Sequence, residues 1–143
     1  MNKTLALIFG ITTALALGSS TARADGDEKP DVSKLPPAAA KTNVTYAADI
    51  KPIFENASCT DCHGEKNPKG KLNLTTLEGV LKGGKEGKVV VPGKVDKSPL
   101  VFAVAHVGDP DEFMPPADKK KKVEPLTKDQ VGLIRAWVEQ GAK

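Results

Sequence analysis

The stretch "CTDCH" at residues 59–63 constrains this chain more than any other, because it holds both cysteines of the sequence and one of its two histidines. Side chains three residues apart lie on the same side of a helical turn, so the two sulfurs point the same way. An imidazole follows the second sulfur directly. The surroundings of the motif decide which chemistry these three groups serve.

Three uses of paired cysteines are disfavoured here. A structural zinc site needs four ligands, and besides His63 only His106 is available; His63 also adjoins Cys62 too closely to share a tetrahedron with it easily. A thioredoxin-like dithiol follows a strand in a βαβ pattern, whereas helical periodicity precedes this motif. A disulfide across two intervening residues would constrain almost nothing.

The remaining use is covalent attachment of one haem c, for which C-x-x-C-H is the expected pattern. Cys59 and Cys62 are within reach of the two vinyl groups on one edge of a porphyrin and would form thioethers with them. His63 would then project over the haem face and bring an imidazole nitrogen to the iron. The motif predicts a haem site built on these three side chains.

A second axial ligand to the iron is expected from Met114, the only methionine after residue 1. Two prolines follow it and stiffen the loop, and Pro115 favours an extended backbone at Met114. One alternative is that Met114 fills a gap in the core. Another is that His106 binds the iron, although it could instead cap a helix end or bond a haem propionate. We favour His63 and Met114 as the metal ligands.

The first 24 residues have the features of a signal peptide. Lys3 gives a positive start, residues 5–17 are 13 uncharged residues, and residues 22–24 form an A-x-A cleavage signal. A bilayer takes about 20 apolar residues, so an uncleaved anchor is the less favoured alternative. We predict a periplasmic or secreted protein that begins at Asp25 and has no stable membrane insertion after cleavage.

Charge excludes nucleic acid as a partner. Removing Lys3 and Arg23 with the signal leaves 19 basic against 18 acidic side chains, a net charge of +1. Residues 25–44 contain three prolines and few large apolar side chains, so we predict a flexible linker there. Residues 45–143 remain, which suffices for one small domain.

Helical periodicity predicts an all-α domain with about four short helices and long loops around one covalently bound haem. The predicted N-terminal caps are Asp49, Thr75, Ser98 and Thr127. No run of residues alternates convincingly enough for a sheet.

These motifs resemble class I c-type cytochromes, and most closely the planctomycete-type cytochrome c domain. The resemblance covers residues 46–142 and rests on "CTDCHG", "KLNLTTLEGVLKGG", "VVVPGKVDKSPLV", "AVAHVGDPDEFMPP" and "LTKDQVGLIRAWVEQGA" in that order. It implies haem thioethers at Cys59 and Cys62. It also implies proximal ligation of the iron by His63 and distal ligation by Met114.

The ligand set predicts an electron carrier, not an enzyme, because two axial ligands leave the iron no open position for substrate. Single electrons would pass between redox partners, and a thioether ligand favours the reduced iron. Several lysines could steer an acidic partner or be solvated loop charges, namely Lys66, Lys69, Lys71 and those at 119–122. The run at 119–122 is a departure from the family pattern. The alternatives are a haem-based sensor or peroxidase-like protein with a labile or absent methionine ligand, and a module with purely structural haem.

We expect intact protein exported by its native host to be one haem heavier than polypeptide 25–143. Mass spectrometry of the purified protein measures this difference directly. The double variant Cys59→Ala, Cys62→Ala is the control and should have the bare polypeptide mass. The bare mass in the unchanged protein would contradict the haem assignment.

Overall fold

The computed structural model describes residues 30–116 and 123–143, and within these ranges the protein is helical without a β-strand. An isolated bridge joins Gly84 to Gly87. The helices are α1 (Lys51–Asn56), α2 (Cys59–Cys62), α3 (Leu77–Lys82), α4 (Pro99–Ala105) and α5 (Lys128–Glu139). The all-α class is confirmed for these residues, with five helices where about four were expected. None of the five is long and apolar enough to cross a bilayer.

The first helical region begins earlier than predicted. A π-helical turn at Tyr46–Ile50 leads into α1, and the hydroxyl of Thr45 caps it by accepting the N–H of Ala48 at 3.4 Å. The predicted cap, Asp49, lies inside this turn and accepts the N–H of Thr45 at 2.9 Å. The prediction of Asp49 as cap was therefore wrong, because a threonine four residues upstream satisfies the free N–H groups first.

One of the remaining three predicted caps was also wrong. Thr76 caps α3, because the N–H and hydroxyl of Thr75 are both held by the side chain of Asn73 at 2.8 Å. Ser98 is the N-cap residue of α4, as predicted, but its buried hydroxyl makes no capping bond and donates to the Lys94 carbonyl at 2.7 Å. Thr127 caps α5 in a complete capping box, as predicted.

The core is built where α5 packs against the π-helical turn that precedes α1. Trp137 is fully buried, and its ring centroid lies 6.0 Å from that of Tyr46. The hydroxyl of Tyr46 donates to the Leu74 carbonyl at 2.7 Å, and burial raises the pKa of Tyr46 to about 12. Other fully buried side chains are Phe54, Ile50, Ile134, Val80, Val90, Val101, Val131 and Val138.

Residues 30–44 lie along α5, in contrast to the flexible linker expected there. Leu35 and Val44 are buried, at 5% and 3% exposed. The side chain of Gln140 accepts the N–H of Val44 at 3.0 Å and donates to the carbonyl of Lys41 at 2.8 Å. The segment has few apolar side chains, but it buries these two and takes hydrogen bonds from α5.

A glycine in α5 permits this close approach. The N–H of Ala39 donates to the carbonyl of Gly132 at 2.9 Å. A Cβ at Gly132 would lie only 2.6 Å from the carbonyl oxygen of Pro37. Because the neighbouring atom is backbone, the whole segment would have to shift to accept a side chain.

We expect Gly132→Ala to lower the free energy of unfolding by about 1–3 kcal/mol, the usual cost of overpacking. The direction of this change in stability is diagnostic, since replacing glycine with alanine within a helix otherwise stabilises a protein by up to about 1 kcal/mol. Denaturant unfolding gives the magnitude, and limited proteolysis should show faster cleavage within 30–44. Lys128→Ala, at an exposed position of the same helix, should stay within about 0.5 kcal/mol. A stabilised Gly132→Ala protein would contradict the packing.

Candidate functional site

A break between α1 and α2 sets the direction of the cysteine motif. Ser58 adopts a left-handed backbone, φ 55° and ψ 21°, which is uncommon for a residue with a side chain. The chain turns there, and α2 begins directly at Cys59 and ends at Cys62. Both cysteines are free thiols and partly buried. The motif therefore forms a single helical turn of its own.

His63 is fixed by three hydrogen bonds. Its N–H donates to the Cys59 carbonyl at 2.9 Å, and its carbonyl accepts the N–H of Leu74 at 2.7 Å. Ring atom Nδ1 lies 3.1 Å from the carbonyl oxygen of Lys69. A carbonyl can only accept, so Nδ1 carries a hydrogen, and in the neutral form of the ring Nε2 is the nitrogen without one. That nitrogen is the one available to bind a metal.

The turn that carries the Lys69 carbonyl is held by the glycine-rich loop after α3. The N–H of Lys85 donates to the Gly70 carbonyl at 2.7 Å, and the N–H of Gly84 donates to the Gly87 carbonyl at 2.9 Å. A Cβ at Gly84 would lie 2.6 Å from the Gly70 carbonyl oxygen. The pair of glycines that ends α3 thus permits the contact that supports the ring of His63.

A cavity of about 250 Å³ lies beside this imidazole. Its wall includes Cys62, His63 and Met114, and the apolar side chains of Leu72 and Val89 also border it. The structure therefore brings three of the four predicted site residues to one apolar cavity, although 51 residues separate His63 from Met114 along the chain.

Met114 lies at the edge of the cavity and not in the core. It is 38% exposed, which is unusual for a large apolar side chain in this protein. Its N–H donates to the Ala103 carbonyl at 3.0 Å, so the end of α4 fixes its backbone. A residue this exposed does not fill a gap between buried side chains, and that alternative is not supported.

Cys59 and His106 lie outside the cavity wall. Cys59 packs against the core, and burial raises the pKa of its thiol. His106 ends α4, and its Nε2 lies 3.1 Å from the carbonyl oxygen of Met114. Because its ring does not border the cavity, the geometry does not favour His106 as the ligand of an iron bound there.

The donor set fits haem c better than the other candidates. Within 30–116 and 123–143, no three His, Cys, Asp or Glu side chains are grouped to hold a metal ion, so zinc lacks ligands there. The dithiol alternative needs a strand before the motif, and α1 occupies that position. One imidazole with a free nitrogen, a thiol and a thioether around an apolar cavity match the groups that hold a haem.

Comparison with known families gave a match to part of the chain. The model of a family described as Planctomycete cytochrome C matches residues 59–118, from the first cysteine of the motif to four residues beyond Met114. Comparisons with curated proteins and with solved structures returned no match. The matched segment includes Cys59, Cys62, His63 and Met114.

We expect Gly84→Ala to lower the free energy of unfolding by about 1–3 kcal/mol, because the added methyl would displace the Gly70 carbonyl and the turn beside it. Thermal or denaturant unfolding measures this loss. Glu86→Ala, in the same loop with a side chain 86% exposed, is the matched control and should change stability by less than about 0.5 kcal/mol. Equal stability of the two variants would show that the loop and the turn do not pack closely.

Proposed function

We propose that this chain is a periplasmic mono-haem electron carrier of the planctomycete cytochrome C family, whose model matches residues 59–118. The observation that carries the proposal is the state of His63 at the cavity. Its Nδ1 proton is held by the Lys69 carbonyl, which leaves Nε2 for a metal, and Met114 borders the same cavity. The signal-like segment 1–24 supports export.

Four side chains would hold the haem. Cys59 and Cys62, one helical turn apart, would attach it through thioethers, and His63 and Met114 would bind the iron. When bound, the haem would supply one-electron exchange between Fe(II) and Fe(III). If His63 and Met114 both bound the iron, no position would remain for substrate, so the proposed role is transfer and not catalysis.

The chain's own residues tune this exchange in two ways. A thioether ligand favours the reduced iron and raises the potential relative to a second imidazole. Leu72 and Val89 border the cavity with apolar surface, which excludes water and disfavours the more charged oxidised state. Both effects act in the same direction, so a relatively high potential is part of the proposal.

The proposed partner is an acidic redox protein. Lys69 and Lys85 border the cavity, and Lys66 and Lys71 are exposed nearby in sequence. Positive charge near the site of transfer would steer a negatively charged protein, with a rate that falls as salt rises. The lysines at 119–122 lie outside the described residues.

A second function has one observation in its favour. Met114 is 38% exposed, so a labile sulfur ligand is compatible with its position. A haem whose iron is free on one side would bind small molecules, as a sensor or peroxidase-like protein does. The optical spectrum separates the two functions: high-spin iron that readily binds carbon monoxide favours the second.

We expect Met114→Ala to remove the weak long-wavelength band of Met–Fe(III) bonding and to lower the reduction potential. The fall should be a sizeable part of the roughly 0.8 V range that axial ligands cover. Spectra and potentiometric titration of the haem-loaded protein measure both. Leu133→Ala removes a partly buried side chain of α5 away from the cavity and should leave the potential unchanged. An unchanged potential in Met114→Ala would exclude the carrier with a methionine ligand.

A further inference from the structure

The backbone of Met114 is tied to the end of α4 on both sides of its Cα atom. Its N–H donates to the Ala103 carbonyl at 3.0 Å. Its own carbonyl oxygen lies 3.1 Å from Nε2 of His106. His106 is the residue that ends α4, in a left-handed conformation with φ 54° and ψ 46°. That conformation turns the chain so that the ring of His106 can reach Met114, eight residues further on.

The chemistry of this contact assigns the proton. A peptide carbonyl has no hydrogen to give, so Nε2 of His106 must be the donor and must carry a hydrogen. The ring is also held from its face, because it stacks on Phe113 with centroids 4.8 Å apart and planes 7° from parallel. Both the position and the rotation of the imidazole are therefore determined by its neighbours.

The sequence after Met114 makes the hydrogen bonds between its backbone and the end of α4 unusually important. Pro115 and Pro116 follow Met114, and neither has a backbone N–H to donate. The loop cannot anchor itself through those two residues in the way that an ordinary turn does. The N–H and the carbonyl of Met114 are thus the groups through which this stretch bonds to α4.

We infer that His106 is a positioning residue for Met114, holding the thioether at the cavity through its hydrogen bond to the Met114 carbonyl. The inference rests on the proposed function, in which Met114 binds the haem iron. A methionine side chain has three rotatable bonds and this one is 38% exposed, so without a fixed backbone it would turn into solvent easily. The role parallels that of the Lys69 carbonyl beside His63.

Two substitutions separate the hydrogen bond from the ring stack. His106→Phe keeps an aromatic ring against Phe113 but has no N–H to donate. His106→Gln keeps an N–H donor at similar reach but loses the stack. Both place an ordinary side chain in the same left-handed backbone, so the cost of that conformation is matched.

In haem-loaded protein, we expect His106→Phe to weaken the Met–Fe(III) band and to let added imidazole displace Met114 at about two- to tenfold lower concentration. That range corresponds to the net value of one hydrogen bond, about 0.5–1.5 kcal/mol, at 1.4 kcal/mol per factor of ten. His106→Gln should stay within about twofold of the unchanged protein. Thermal unfolding of both variants confirms that they are folded, and His106→Leu replaces His106→Phe should the latter not load haem.

The outcomes distinguish a failure of this inference from a failure of the proposed function on which it rests. A Met–Fe band in the unchanged protein, with equal imidazole affinity in His106→Phe, overturns the inference and leaves the carrier intact. Equal weakening of the Met–Fe band in His106→Phe and His106→Gln also overturns the inference, since the lost hydrogen bond would then not be the cause. Absence of the band in the unchanged protein overturns methionine ligation itself, and the inference with it.

Discussion

The contact between the His63 ring and the Lys69 carbonyl is the interaction on which the rest of the site depends. It decides which imidazole nitrogen is free, and it fixes the plane of the ring relative to the backbone. The carbonyl is held in turn through Gly70 by the N–H of Lys85, from a loop that closes only because Gly84 has no side chain. Three short segments between residues 63 and 87 must therefore pack together before the ring of His63 has a fixed orientation.

Met114, which borders the same cavity, is also held in place by hydrogen bonds from another part of the chain. Met114 is carried by a loop, and the end of α4 ties that loop through the Ala103 carbonyl and the ring of His106. Neither candidate ligand is positioned by a long helix. In the proposed carrier, only the charge on the iron would change. Hydrogen bonds that hold the ligands in place beforehand would suit this role, because the ligands would need no rearrangement when the electron arrives.

Local signals in the sequence were sufficient for the helical class, the cysteine motif and the capping box at Thr127. They were insufficient where another group competes for the same atom or a distant residue supplies the partner. Ser98 has the form of a cap, but its hydroxyl bonds the carbonyl of Lys94. Val44 and Gln140, 96 residues apart, hold a segment whose composition indicates a linker. The sequence did not reveal which carbonyl holds the ring of His63, because a backbone carbonyl leaves no signature in the sequence.

The core and the site are joined by a continuous path of hydrogen bonds. The buried hydroxyl of Tyr46, which packs against Trp137, donates to the carbonyl of Leu74, and the N–H of Leu74 donates to the carbonyl of His63. Burial raises the pKa of Tyr46 to about 12, so this hydroxyl remains a donor at any ordinary pH. Glycine- and proline-rich loops have little means of fixing their own geometry. Aromatic packing between α5 and the first helical turn therefore fixes the backbone of His63 through the hydrogen bonds of Tyr46 and Leu74.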